Sequence, residues 1–371
     1  MPRVAHLTAV HPADDVRIFA KECRSLAAAG YQVDLVVPGA SNGVVDGVAV
    51  HGVAPPAGGR LGRMTRTALD VYRAARRLDA DLYHVHDPEL LPAALMLRGR
   101  GKQVVYDSHE HLPQQIVTKP WIPAEIRRPL ARVADVGERL AVRRLSAVVT
   151  AEPYVARRFE PVARKVVTVN NFPSVAEFDR PAGDWRNRER AVCYAGAITE
   201  LRGVRVMLEA IARTNATLLL AGRFSPAHLE QEVKRSPGWE SVDYLGQLPR
   251  PAVGEMMSRA QAGLVVLRAI PNYLEANPIK MFEYMAAGIP VIASDFPAWR
   301  GIVESHACGI CVDPESADDV AAAIWRIVDN PEDAQRMGEN GRRAARSHYS
   351  WETERATLLE LYRELVGPPA E

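Results

Sequence analysis

The sequence predicts an α/β protein of two tandem doubly wound domains, and three observations carry that reading. Short apolar runs recur along the chain, separated by segments of helix length. The runs are continuous rather than alternating, as in strands covered on both faces of a parallel sheet. The rhythm breaks once, at 172–190 (FPSVAEFDRPAGDWRNRER), a polar stretch with Pro173, Pro181 and Gly183. About seven runs precede this break and six follow it, and 371 residues suit two domains of ~100–200 residues each.

In the first half the predicted strands are VAHLTAV (4–10), VDLVVPG (33–39), VAVHGV (48–53), LYHVHD (82–87), VVYDSH (104–109), AVVTAE (147–152) and VVTVNN (166–171). RIFAKECRSLAAAG (17–30) between the first two has a helical pattern and ends in the glycine expected just past a helix. In the second half the strands are AVCYAGAI (191–198), ATLLLAG (216–222), VDYLGQL (242–248), AGLVVLRA (262–269), PVIASD (290–295) and GICVD (309–313). Beyond them the chain is helical apart from a break at SHYSW (347–351). The expected domains are 1–175 and 185–350, with a final helix at about 352–371 packing back on the first.

The composition, 47% hydrophobic and 25% charged, excludes a disordered or collagen-like chain. With 6% aromatics there is little to stack nucleic-acid bases, and no recognition motif is present, so no nucleic-acid partner is expected. Four scattered cysteines fit a reducing compartment, and Cys308 and Cys311 read as buried thiols. The start, MPRVAHLTAVHPADD, meets Pro12 and two aspartates before a signal sequence could form, and no apolar run reaches the ~18–20 residues of a membrane span. The expected location is the cytoplasm. Residues 1–175 carry 24 Lys and Arg against 17 Asp and Glu, and the remainder 22 against 28, which suggests different ligands for the two halves. Most of the positive excess lies in two segments, 59–78 and 125–145, each with six arginines beside an apolar stripe. They read either as ordinary surface helices or as a peripheral contact with the inner face of an anionic membrane.

The chemistry concentrates in NYLEANPIKMFEYMAAGIPVIASDFPAWRGIVE (272–304). Asn277 followed by Pro278 predicts a helix start, with Asn277 as N-cap, Pro278 at the first position and Gly288 as terminator. The free amides of Ile279, Lys280 and Met281 and the helix dipole would then form an anion site suited to a diphosphate. Glu275 before it and Glu283 in the second turn could each accept hydrogen bonds from hydroxyls. A ligand with hydroxyls at both ends and phosphates between them is a nucleotide sugar.

Glu275 to Glu283 resembles the E-x7-E motif of the family 4 glycosyltransferases, and AAGIPVIASD resembles that motif's continuation. The resemblance covers nearly the whole chain. It implies the GT-B fold, two Rossmann-like domains facing a central cleft, with the acceptor in the first and the donor in the second. It implies that Glu275 contacts the donor sugar, that Glu283 holds the ribose, and that Asn277, Pro278 and Ile279, with Gly196 and Leu248, line the donor site. VYDSHEHLP (105–113) resembles the family's histidine loop and makes His109 the histidine beside the reacting carbon. Transfer with retention, no bound metal and no cofactor beyond the donor are implied too.

Departures from the family pattern lie in GAITELRG (196–203), where Ala197 stands at the usual arginine and Arg202 at the usual lysine. Arg202 retains the capacity to hold phosphate. Arg223, in AGRF, reads as a second cation or as a surface residue. HPADDVRIF (11–19) replaces the family's glycine pair, and Asp14, Asp15, Arg17 and His86 are candidates for reading the acceptor; capping by either aspartate is the competing reading. His84, His86, Asp87, Glu89, His109, Glu110 and His111 match no zinc signature such as H-E-x-x-H, and hydrogen bonding in the cleft is preferred to a metal. The expected activity is retaining transfer of a sugar, with UDP ranked ahead of GDP, to a hydroxyl of a glycan, glycolipid or natural product. A nucleotide-sugar 2-epimerase and a non-catalytic binding protein are the alternatives.

Overall fold

The structure, a computed structural model, describes residues 1–55, 62–119, 121–178 and 185–369. Part of the linker (179–184) and the start of the arginine-rich segment (59–61) lie outside the described residues. The chain divides into two compact bodies, Met1–Asn171 with Glu354–Glu371, and Phe172–Thr353.

The first body holds eight strands: β1 (Arg3–Leu7), β2 (Gln32–Pro38), β3 (Gly43–Val45), β4 (Val48–Val53), β5 (Leu82–Val85), β6 (Gln103–Ser108), β7 (Ala147–Thr150) and β8 (Val166–Thr168). They lie in the order β3-β4-β2-β1-β5-β6-β7-β8 and pair in parallel, except that β3 runs antiparallel to β4 at the edge. The central strands are buried along their whole length, which explains their unbroken apolar runs. Strand order reverses between β1 and β5, where His6 faces His84 and Leu7 faces Val85. In such sheets the crevice at the carboxyl ends of the strands beside the reversal is the ligand site.

The segment after β1 is helical as predicted, but its first eight residues, Val16–Cys23, are π-helical before α1 (Arg24–Ala28) continues the path. Gly30 follows with φ +94°, a conformation only glycine adopts without strain. A longer helix, α2 (Ala124–Val142), precedes β7.

The second body holds β9 (Ala191–Ala195), β10 (Thr217–Ala221), β11 (Val242–Gly246), β12 (Ala262–Val265), β13 (Val291–Ser294) and β14 (Gly309–Val312), all parallel in the order β11-β10-β9-β12-β13-β14. Its reversal lies between β9 and β12. Three helices matter for the site: α3 (Arg250–Arg259), the short α4 (Pro271–Leu274) and α5 (Ile279–Ala287). The last helix, α6 (Trp351–Val366), follows the break at Tyr349 and Ser350. Among the described residues no helix is long and apolar enough to cross a membrane.

Candidate active site

In the second body the residues gather where β9 ends and α5 begins. Gly196, the first residue past β9, has φ +143° and lies against Lys280. A Cβ there would come within 2.4 Å of Lys280 Cε and 3.5 Å of Arg202 Nη1. Gly222, past β10, approaches equally closely; its Cβ would fall 1.8 Å from the Gly196 carbonyl oxygen. Two glycines therefore let backbone, lysine and arginine converge. The sequence reading used Lys280 only for its amide and missed its side chain, which stands with Arg202 beside Gly196. Its pKa is drawn down to about 8, by burial first and by Arg202 second. Arg202 lies beside the Tyr194 and Tyr273 hydroxyls.

The helix start is shifted from its expected place. Pro278, with ψ 111°, is the N-cap and Ile279 the first helical residue, so Asn277 does not cap. An extended ψ at Pro278 keeps the Asn277–Pro278 pair outside the helix. The Met281 N–H bonds back to the Pro278 carbonyl at 2.9 Å, so of the three expected amides that of Met281 is already taken. Gly288, with φ +72°, ends the helix as expected. Glu275 is exposed just past α4, and the Trp299 indole fixes the next residue by donating to the Ala276 carbonyl at 2.7 Å. Glu283 is buried and accepts from Arg250 Nη1 at 2.5 Å. Arg250 also donates to Glu177 at 2.6 Å, a bridge with no local sequence signature. Leu248 packs on the core in the loop before α3. Arg223 is exposed and donates to Gln247, and so is not joined to the Lys280–Arg202 pair.

In the first body the candidates collect at the carboxyl ends of β1, β5 and β6. His109 Nε2 lies 3.2 Å from Asp107 and 3.2 Å from His86 Nδ1. Arg17 grips Asp107 through Nε and Nη2 at 2.9 and 3.0 Å and donates to the Val169 carbonyl at 2.8 Å. Arg17 is buried, which corrects its assignment as an acceptor reader: its charge is consumed inside the fold. Asp15 caps the helical segment, accepting from the Arg17 and Ile18 N–H groups at 2.9 Å each, and it also meets His11 at 3.1 Å. Capping is thus the role seen for Asp15, while Asp14 stays exposed in the turn before it. Buried His86 is pulled to about 4, by desolvation against the opposing pull of Asp107. Asp87 accepts from the Thr8 hydroxyl at 2.8 Å and the Ala9 N–H at 2.6 Å, which fixes the turn carrying His11.

Two family models match the chain, "Glycosyl transferase 4-like domain" over residues 16–171 and "Glycosyl transferases group 1" over residues 175–344. The chain belongs to the family 4 glycosyltransferases. This glycosyltransferase is 27% identical to the phosphatidyl-myo-inositol mannosyltransferase of Mycolicibacterium smegmatis over 91% of its own length and 87% of that protein. It is 28% identical to the alpha-D-kanosaminyltransferase of Streptomyces kanamyceticus over 73% of each. A further match, 26% identical, to the MMP alpha-(1→4)-mannosyltransferase of Mycolicibacterium hassiacum spans 49% of this chain and 44% of that protein. Among solved structures, sucrose-phosphate synthase from Thermosynechococcus elongatus superposes with a TM-score of 0.77 at 19% identity, over 98% and 99% of the two chains. Anabaena HepE in complex with UDP and glucose gives 0.73 at 14%, over 98% and 100%. The glycosyltransferase therefore has the GT-B fold.

Proposed function

We propose that the enzyme transfers a sugar from a nucleoside-diphosphate donor, UDP ahead of GDP, to an acceptor hydroxyl with retention of configuration. The observation that carries the reading is the convergence of Gly196, Arg202 and Lys280 on the opening turn of α5, flanked by Glu275 and Glu283. Two cations and two helix amides neutralise the leaving diphosphate without a bound ion. Glu275 accepts from hydroxyls of the donor sugar, and Glu283, oriented by Arg250, accepts from the ribose. The leaving phosphate takes the acceptor proton, so no side chain need act as base. His109, held by Asp107, positions and polarises. HepE, solved with UDP and glucose, supports this class of donor, and two mannosyltransferases among the relatives support sugar transfer.

The test is thermal unfolding with UDP and GDP, each with and without EDTA. A ligand at 100 times its Kd adds about 2.7 kcal/mol. One diphosphate should raise the midpoint by the same increment in both arms; no increment with either, or one that EDTA abolishes, overturns the reading. Lys280→Met should weaken UDP binding roughly 10- to 100-fold, the loss of one charge-assisted contact. The pH dependence has a definite sign. Above about pH 8 the free lysine is neutral and must take up a proton to meet the diphosphate. Wild-type affinity therefore falls as pH rises through that value, while that of Lys280→Met stays flat, measured by titration calorimetry at pH 7 and 9.

A second reading concerns where the acceptor lies. On α2, Ile126, Leu130, Val133, Val136 and Leu140 are all exposed, at spacings of three and four that make one outward apolar stripe. Arg132, Arg139 and Arg143 border it, while Ala131, Glu138, Ala141 and Val142 face inward. An apolar stripe edged by arginines suits an anionic bilayer surface, and we assign this face to peripheral membrane contact. The protein should co-sediment with vesicles of anionic lipid in a salt-sensitive way. The double variant V133D/V136D should lose that binding but keep the UDP-induced shift. Equal sedimentation of the two proteins would count against it.

A further inference from the structure

Behind His109 lies a polar group that the transfer reaction does not use. His6 on β1, Glu22 in the π-helical segment, and His84 and His86 around β5 are buried side by side, and a donor atom of each lies within 4.8 Å of all the others. Glu22 Oε2 is 3.7 Å from His6 Nδ1, 3.9 Å from His86 Nε2 and 4.0 Å from His84 Nδ1, while His6 Nδ1 and His86 Nε2 are 2.9 Å apart. Zinc bonds of about 2.0–2.1 Å give tetrahedral edges of roughly 3.4 Å, which these separations bracket.

A second observation points to a missing partner. Among the described residues, neither carboxylate oxygen of fully buried Glu22 has a hydrogen-bond partner, its contact with Arg17 being an ion pair. Buried polar atoms are rarely left this way. The outer atoms are placed as outer partners of metal ligands are placed. His86 Nδ1 faces Asp107 at 3.4 Å, His6 Nε2 faces the Tyr362 hydroxyl of α6 at 3.1 Å, and Arg17 Nε lies 3.1 Å from Glu22 Oε1. An ion would replace two existing bonds, that between His84 Nδ1 and the Tyr362 hydroxyl at 2.7 Å and that between His6 Nδ1 and His86 Nε2 at 2.9 Å.

We propose that His6, Glu22, His84 and His86 bind one zinc ion in a closed four-ligand site that ties β1, β5 and the π-helical segment together. With no position open to substrate, the ion is structural, and sugar transfer does not pass through it. The inference stands on this cluster alone and does not depend on the donor-site reading.

The test is metal analysis of full-length protein expressed with zinc in the medium and dialysed, with cobalt uptake by chelator-treated protein as the second measurement. Wild type should hold one zinc per chain, and cobalt should give the intense visible bands of a tetrahedral site. E22Q and H84Q should lose the metal, and C308S/C311S should keep it. The chelator should lower the unfolding midpoint of wild type, and readded zinc should restore it, with the UDP-induced increment unchanged. Protein with neither zinc nor cobalt uptake overturns the proposal and leaves Glu22 a buried acid whose burial favours its protonated form. Metal retained by both E22Q and H84Q overturns it as well, by locating the ion elsewhere. Should either ligand variant fail to fold, the cobalt spectrum and stoichiometry of wild type decide alone.

Discussion

Replacing Glu275 with alanine should lower the rate of sugar transfer by about a hundred- to a thousandfold, the scale seen when one preorganised polar contact to a transition state is removed. The fold should not notice. Glu275 is exposed beyond the last residue of α4, so truncation opens no cavity, and the loop stays tied through the Trp299 indole to the Ala276 carbonyl. Exposed substitutions of this kind stay within about 0.5 kcal/mol. The UDP-induced rise in unfolding midpoint should also survive, because the diphosphate is assigned to Lys280, Arg202 and the α5 amides. Unchanged stability, unchanged UDP binding and collapsed turnover would together place Glu275 on the sugar rather than the nucleotide. Glu275→Gln, which keeps a carbonyl acceptor, should recover part of the rate. Turnover of Glu275→Ala within a fewfold of wild type would remove Glu275 from the site.

The proposed donor site is half legible in the sequence. The E-x7-E spacing placed Glu275 and Glu283 around a helix start because both lie on one local segment, and local spacing is what sequence records. Lys280 sits inside the same motif, yet only the meeting of β9 with α5 against Gly196 gives it a role, and that meeting joins residues more than 80 positions apart. Arg250 was invisible for the same reason: its partners Glu177 and Glu283 lie 73 and 33 positions away. The one-residue shift of the α5 cap follows from Pro278 remaining extended, which an Asn-Pro pair does not reveal.

In the first body the continuous apolar runs gave away buried parallel strands but hid the polar side chains within them. His6 sits in a run that reads as core, while His84, read as a cleft hydrogen bonder, is fully buried, and both faces of β1 and β5 are covered. Periodicity reports which face is inside only when one face is wet. Arg17 was misplaced on similar grounds. In HPADDVRIF it reads as a candidate for the acceptor, but the helical segment turns it inward onto Asp107.

Arg17→Met should destabilise the first body by about 3–5 kcal/mol, the cost of stranding one partner of a buried ion pair. Arg17 has no exposed role to lose. Its guanidinium neutralises Asp107 through two bonds and lies 3.1 Å from Glu22, so methionine would leave two buried carboxylates facing each other. D107N/R17M should be less destabilised than the sum of the single variants, because the double change removes both charges. The pH dependence separates this account from a loss of packing. Against the burial that opposes ionisation, Arg17 holds Asp107 well below its ordinary value. That contribution is present above the unfolded pKa of about 4 and is lost only as pH falls through the folded value. In Arg17→Met the carboxylates would instead bind protons more tightly folded than unfolded, so the variant gains stability as pH drops from 8 toward 5. Its deficit against wild type, read from urea unfolding, should therefore be larger at pH 8 than at pH 5. An acceptor-reading arginine would behave in the opposite way, raising the acceptor KM when replaced while stability stayed within about 0.5 kcal/mol at both pH values.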